Sequence, residues 1–344
     1  MTSLRQMIQE AAPVCAPLVL DPLMAKLAEQ AGFKALYLGG GALGYRKVHL
    51  EANLTLSEMC QAGLDIRTVT DLPLILDAAA GWGDPMHMHR TMGMAEAAGF
   101  AAVEIEDQIL PKRAHHHAGI EHMVPLGNMV DKLREAVSAR RNPDTLIIGR
   151  TNGVRSSNMD DALRRGAAYR KAGSDIILLS PRNSEEVRHV ADRLGGPLML
   201  LLKPGGLASL GMSLDDMGSL GYRILVDPST PLTAAYEAMR GVYNELADGF
   251  TMTARPTTEW TALQEDMHET IGLEDLLVVE RRTVEKGLSF CLIGKSPSVM
   301  WGCSLRPGQI AHGWLHVQVG RDQHPVQCGA RHRLASAARG RQHH

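Results

Sequence analysis

The feature that most restricts what this chain can fold into is an alternation repeated eight times. Short apolar runs recur at 16–20, 35–38, 73–76, 101–105, 145–148, 175–179, 197–202 and 222–226, and most of the intervals between them carry helical periodicity. Strands alternating with helices build parallel βαβ units. Runs that are apolar throughout, not at every second position, suit strands buried on both faces. Four of the helical stretches stop at a glycine just ahead of the next strand: Gly32, Gly99, Gly173 and Gly221. Glycine adopts the left-handed conformation after a helix at little steric cost. An open doubly wound sheet also alternates, but eight units at this spacing favour closure. The pattern predicts an α/β fold, a (β/α)8 barrel of the TIM type.

At 344 residues the chain is longer than the roughly 250 of a typical barrel. The pattern assigns residues 1–249 to the barrel and 250–295 to a C-terminal helical extension. Within that extension, 256–287 reads as one or two amphipathic helices, packing on the barrel or on a neighbouring subunit. Residues 296–344 are rich in Gly, His, Arg and Gln without periodicity, and are expected to be peripheral or poorly ordered, with solvated histidines. The net charge of −2 argues against nucleic acid or an anionic membrane as partner. No apolar run approaches the roughly 20 residues that span a bilayer. Five scattered cysteines, Cys15, Cys60, Cys291, Cys303 and Cys328, include no CxxC pair. That spacing fits reduced thiols in the cytoplasm better than disulfides or a zinc site.

Barrel enzymes place their chemistry at the C-terminal ends of the strands, so the residues following each run are the candidates. They are Asp21, the triplet Gly39-Gly40-Gly41, Asp77, the series Glu104, Glu106 and Asp107, then Arg150-Thr151-Asn152, Arg182, Lys203 and Asp227. Charges gathered at one end of a barrel must meet in a polar site, because isolated buried charge is costly. Asp77 and Glu106 are oxygen donors suited to Mg²⁺ or Mn²⁺, which take one or two carboxylates and keep waters; a salt bridge to Arg150 or Lys112 is the competing reading. The three glycines allow close backbone approach to a bound carboxylate. Arg150 offers a bidentate fork for a carboxylate, or a structural pair with Glu106. Arg182 is a second candidate of the same kind, and Lys203 reads equally as a solvated charge. The loop Pro111–Gly119 carries Lys112, Arg113 and three histidines, His115, His116 and His117, and suits a lid over an anionic substrate. Three adjacent loop histidines seldom face one ion, so a metal role for them is disfavoured. His87 and His89, in the helix after the third strand, read as structural.

These motifs resemble one family. Residues 104–119, an acidic strand end running into Lys112-Arg113, are similar to the gating-loop region of the isocitrate lyase/phosphoenolpyruvate mutase superfamily. Asp77 before Gly81-Trp82-Gly83 resembles its metal-binding strand. Gly39–Gly41 resemble its carboxylate-binding turn, and Gly149-Arg150-Thr151-Asn152 its arginine element. The resemblance covers roughly residues 15–245. It implies a Mg²⁺-dependent enzyme, commonly tetrameric, that binds a small 2-oxo or 2-hydroxy acid and forms an enolate as a C–C or C–P bond breaks or forms. Asp77, with Glu106 nearby, would hold the metal; Gly39, Gly40, Gly41, Arg150 and Asn152 would bind substrate; Lys112 and Arg113 would act from the loop. The chain departs from the family at four places. Ala114 stands for the loop cysteine of the lyases and Ala79 for the second aspartate of the metal strand. Leu50 and Glu51 stand where a substrate-site aspartate is expected, with Glu51 the available replacement. Leu200-Leu201-Leu202 replaces a polar stretch on strand seven. His115 or His116 is then the expected acid in place of the cysteine, and the apolar strand seven predicts an alkyl or aryl substituent on the substrate. The resemblance leaves three activities open: a carbon–carbon lyase, an oxaloacetate decarboxylase or oxoacid hydrolase, and a catalytically silent metabolite-binding barrel.

Overall fold

The structure is a computed structural model; it describes residues 2–250 and 256–285, and the backbone of 289–291 and 302–304. Eight strands run parallel: β1 Val14–Pro17, β2 Leu36–Leu38, β3 Leu74–Asp77, β4 Ala102–Glu106, β5 Leu146–Arg150, β6 Ile176–Leu178, β7 Leu198–Leu201 and β8 Tyr222–Asp227. Each pairs with its sequence neighbour from β2 to β8, and β8 pairs with β1. Leu18 and Tyr37 bridge β1 to β2, with Val19 N–H donating to the Tyr37 carbonyl at 2.9 Å, which closes the ring. The fold is the TIM-type barrel that the alternation predicts.

All eight apolar runs contain strand residues, and β2 to β6 are buried along their whole length. The first run is offset from its strand. The ladder to β8 begins at Val14 and ends at Pro17, while Leu18, Val19 and Leu20 continue the buried run beyond it. A ladder position and an apolar position are different requirements, and periodicity reports only the second. The helical intervals are capped where the sequence allows. Asp21 accepts from Met24 N at 2.9 Å at the head of the helix Pro22–Gln30, and Asn158 accepts from Asp161 N at 2.8 Å at the head of Met159–Ala172. That second helix stops at Gly173, whose φ of 107° only glycine adopts without strain. Gly32, Gly99 and Gly221 repeat the device with φ of 93°, 82° and 85°.

The chain divides into one unit of residues 1–273 and a second of 274–344. The first ends with the helices Thr230–Ala247 and Thr257–Thr270, and Thr270 lies 3.5 Å from Gln30. In the second, the described residues form most of the helix Leu273–Arg282 and an antiparallel pair of 289–291 with 302–304. The helix places Glu274 and Asp275 in its first turn and Arg281 and Arg282 in its last, complementing its dipole. The expectation for 296–344 falls almost wholly outside the described residues. Among those described, no helix is long and apolar enough to cross a membrane.

Candidate active site

The period of two along a strand puts Glu104 and Glu106 of β4 on the same face. The parallel register sets Asp77 of β3 beside Glu104, and Arg150 of β5 beside Glu106. All four side chains therefore meet at the mouth of the barrel, and all four residues are buried. Arg150 donates to Glu104 Oε1 at 2.7 Å, and its Nε lies 3.3 Å from Glu106 Oε2. Tyr37 of β2, enclosed between leucines, donates its hydroxyl to Glu104 Oε2 at 3.1 Å.

Lys112 enters this group from the loop after β4. Its Nζ donates to Glu106 Oε1 and to Glu51 Oε2, both at 2.6 Å. Glu51 comes from the short turn Glu51–Asn53 after β2, so one buried ammonium ties two separate loops together. Asn152 Nδ2 donates to Glu106 Oε2 at 2.9 Å. Asp107, the next residue on β4's exit, accepts from Thr151 Oγ1 at 2.6 Å, Tyr169 Oη at 2.7 Å and Asn152 N at 3.0 Å, which anchors the end of β5 to the end of β4.

Asp77 is held only by backbone. Gly40 N donates to its Oδ2 at 3.2 Å and Ala79 N to its Oδ1 at 3.0 Å. The glycine turn is tight: a Cβ on Gly40 would meet Glu51 Oε1 at 2.8 Å. The turn after Asp77 is strained, with Ala79 at φ 45° and Trp82 at φ 55°. It is braced by Trp82 Nε1 donating to the Leu54 carbonyl and by buried Lys132 donating to the Ala80 carbonyl, both at 3.0 Å.

The charge at this mouth does not balance. Four carboxylates, Glu51, Asp77, Glu104 and Glu106, face two cations, Lys112 and Arg150. Burial, aided by the charge of Asp77, pushes Glu51 up to about 8. Burial likewise raises Glu104 to about 7 against the pull of Arg150. Glu106 is also pushed up by burial, but Lys112 and Arg150 outweigh that and hold it well below the usual carboxylate range. The same carboxylates drive Lys112 up despite its burial. Of the buried polar atoms without a hydrogen-bond partner among the described residues, three lie at this mouth: Glu51 Oε1, Arg150 Nε and Asn152 Oδ1. Surplus negative charge and unpartnered oxygens beside Asp77 fit a hydrated divalent cation. Among the described residues no three carboxylate, His or Cys side chains converge as a ready ligand set.

Of the residues singled out from sequence, the structure gathers Asp77, Glu106, Lys112, Arg150, Asn152 and the Gly39–Gly41 turn in one cluster. It does not bring the others into that cluster. Arg113 is exposed and makes no side-chain ion pair among the described residues. His115 is exposed and lies 3.2 Å from His122. Half-buried His116 sits against the buried carboxylate of Glu121, 2.8 Å from Oε2. Arg182, just ahead of the helix Ser184–Leu194, is 64% exposed in its side chain and folds onto Glu186 in that helix's first turn, with Nε donating at 2.7 Å. Lys203 donates to the Arg182 carbonyl at 2.9 Å. His87 caps the Asp84 amide and His89 pairs with Glu135 at 2.8 Å, both structural as expected. Tyr37, Gln108, Glu121 and Arg155 were not anticipated. The signal for Tyr37 was a lone hydroxyl inside an apolar strand, where a partner is obligatory.

A closed parallel barrel with a carboxylate-rich, cation-bridged mouth defines a class of enzyme that handles small acids. The phosphoenolpyruvate phosphomutase family profile matches residues 4–247. A 2,3-dimethylmalate lyase of Eubacterium barkeri is 32% identical over 283 residues, covering 80% of this chain and 96% of the relative. A 2-methylisocitrate lyase of Aeropyrum pernix is 36% identical over 247 residues, covering 71% and 79%. A phosphonopyruvate hydrolase solved with oxalate and Mg²⁺ superposes with a TM-score of 0.70 at 28% identity, covering 82% of this chain and all of that one. The chain belongs to the phosphoenolpyruvate phosphomutase family, within the isocitrate lyase/phosphoenolpyruvate mutase superfamily of lyases and mutases.

Proposed function

We propose that this enzyme is a Mg²⁺-dependent carbon–carbon lyase that cleaves a small, alkyl-substituted 2-hydroxy acid, or its 2-oxo counterpart, through an enolate. The observation that carries this reading is the uncompensated carboxylate cluster around Lys112 and Arg150. Asp77, with Glu106 nearby, would hold the metal, largely through water, and the metal would supply Lewis acidity at the C2 oxygen. Arg150, Asn152 and the Gly39-Gly40-Gly41 turn orient the substrate carboxylate. Arg150 is already charge-compensated by Glu104 and Glu106, so it offers its partly free edge and not an unpaired charge. Lys112 neutralises charge building on the substrate beside it. The hydroxyl proton passes to a carboxylate of the cluster, the C2–C3 bond breaks, and the electron pair is left on the enolate fragment.

That fragment needs an acid, and Ala114 cannot provide one. We assign the role to His116, with exposed His115 and Arg113 helping to close the loop over the anion. Of the two histidines, His116 is the one held by a buried carboxylate. Leu201 and Leu202, half-buried at the end of β7, supply an apolar wall for an alkyl group. The likeness to a dimethylmalate lyase supports that preference. The helix Thr230–Ala247 leaves Tyr236, Met239, Val242 and Tyr243 exposed, which supports assembly as a homotetramer. The free thiols Cys15 and Cys60 support a cytoplasmic setting.

Proton NMR with Mg²⁺, over a panel of alkyl-substituted malates, tricarboxylates and 2-oxo acids, tests the reading. The expected result is metal-dependent conversion of an alkylmalate into a 2-oxo acid and a carboxylic acid. Release of CO₂ from oxaloacetate alone would replace the lyase with a decarboxylase, and thermal stabilisation by acids without turnover would replace it with a binding protein.

A further inference from the structure

We infer that Glu121 is the positioning residue for His116: its buried carboxylate takes the Nδ1 proton in a hydrogen bond and leaves Nε2 as the atom that delivers a proton to the substrate fragment. This inference rests on the reading of His116 as the acid.

The side chain of Glu121 is fully buried, though it lies in a loop whose neighbours are mostly exposed. Both its oxygens face the imidazole, with His116 Nδ1 at 2.8 Å from Oε2 and 3.0 Å from Oε1. A loop carboxylate is rarely buried without a task, because burial is costly unless it is paired. The pairing is extensive. Arg155, from the turn Gly153–Ser156 after β5, forms an ion pair with Oε1, and Gln108 Nε2 donates to Oε2 while lying 2.7 Å from the same His116 Nδ1. Burial pushes the Glu121 carboxyl up, but His116 and Arg155 outweigh it and hold it below its usual value. Glu121 is therefore an anion beside the ring.

An imidazole that donates Nδ1–H to a carboxylate has its tautomer and ring plane fixed, and its protonated form is favoured. The loop is built to hold this geometry. Its base is closed by Ile109 N to the His122 carbonyl and Val124 N to the Asp107 carbonyl, both at 2.8 Å. Residues Ala114–Ala118 form one tight turn that ends at Gly119, φ 78°. The groups facing His116 are Glu121, Gln108, Arg155 behind the carboxylate and the His117 ring, whose centroid lies 5.5 Å away. The charge of Lys112 acts on His117, one residue further.

The test is Glu121→Gln, read first without substrate by NMR of the His116 imidazole in the Mg²⁺-loaded enzyme. The expected result is a titration midpoint lower by about one unit and loss of the single Nδ1–H tautomer. The alkaline limb of kcat/KM should move down by the same amount, with partial return in Glu121→Asp. Adding Glu121→Gln to His116→Asn should then cost little further activity. An unchanged His116 midpoint in Glu121→Gln overturns the inference. So does an equal loss in the His116→Asn background, which would make Glu121 only the loop's tie to Arg155. If His116→Asn alone keeps full turnover, the assignment of the acid fails, while the NMR midpoint still decides whether Glu121 positions the ring.

Discussion

The two halves of the barrel mouth are built differently. From β2 to β5 the strand ends deliver Tyr37, Asp77, Glu104, Glu106 and Arg150 into one buried network. From β6 to β8 the strands end in Leu178, Leu201 and Val226-Asp227, and the polar residues there and just beyond are used locally: Asp227 accepts from Ser229 N and Thr230 N, Arg182 folds onto Glu186, and Lys203 reaches the Arg182 carbonyl. One half concentrates charge whose compensation is incomplete; the other offers apolar surface. On the proposed function, the charged half serves bond-making and bond-breaking and the apolar half the choice of substrate. It also explains how the chain tolerates its losses at strand seven without dismantling the cluster opposite.

The sharpest way to break this division is at Lys112, which is hydrogen-bonded at 2.6 Å to carboxylates from the turn Glu51–Asn53 and from the end of β4. Lys112→Met leaves Glu51 and Glu106 facing each other without the cation. Breaking a buried pair costs about 3–5 kcal/mol, which for a chain of this size lowers Tm by roughly 10 °C. Loss of a preorganised charge at the reacting centre lowers kcat/KM by about 10²–10³-fold. Thermal melts and steady-state kinetics check both, and wild-type values in the variant would mean that the charged half is only a structural knot.

The imbalance itself predicts a pH and metal response. Glu104 is raised from 4.5 to about 7, so the folded state holds that proton more tightly than the unfolded chain. Its stabilising contribution is complete below about pH 4.5 and is lost as pH rises through 7. Glu51, raised to about 8, extends the loss by a further unit. Glu106 is lowered and acts in the opposite sense, but only in acid below 4.5. Metal-free protein should therefore lose Tm between pH 5 and 8, and Glu104→Gln should flatten that decline. Mg²⁺ should raise Tm by several degrees at pH 8 and little at pH 5, where protons already neutralise the carboxylates. Equal stabilisation at both pH values would place the cation elsewhere.

The same contrast separates what the sequence made legible from what it hid. Strand ends are legible because the register of a parallel barrel puts consecutive C-terminal residues side by side; Asp77, Glu106 and Arg150 meet for that reason. Glu104 was readable as part of the acidic exit of strand four, but Tyr37 lies one residue inside the run at 35–38, where pattern reading treats a residue as core. Glu121 and Arg155 meet across 34 residues of loop and strand, a distance no periodicity reports. Glu51 was readable only as a stand-in for an absent aspartate, because its partner Lys112 lies 61 residues away. Arg182 followed a strand and so was read towards the site. Yet Glu186, in the first turn of the helix that follows, captures it instead.

On the apolar half, Leu201→Asn sharpens the comparison. A polar side chain in that wall weakens contact with an alkyl group by an amount typical of one or two methylenes, so kcat/KM for an alkylmalate should fall about tenfold. The Mg²⁺-induced rise in Tm should not change, because the proposed metal site belongs to the other half. Competition between an alkylmalate and a tricarboxylate measures the shift directly. A variant that lost metal response together with specificity would show that the two halves are not separable.

The smallest effect belongs to Arg182→Ala, and its smallness is the point. If Arg182 bound the substrate carboxylate, its loss would raise KM steeply, as removal of a bidentate contact does. In the structure its guanidinium is largely exposed and already paired with Glu186 in the first turn of the helix that follows. An exposed pair of this kind contributes little to stability. Tm and kcat/KM should both stay within error of wild type, while Arg150→Ala, made in parallel, should lose turnover. A large KM increase in Arg182→Ala would mean that the loop after β6 swings inward on binding, and that the apolar half contributes a charge after all.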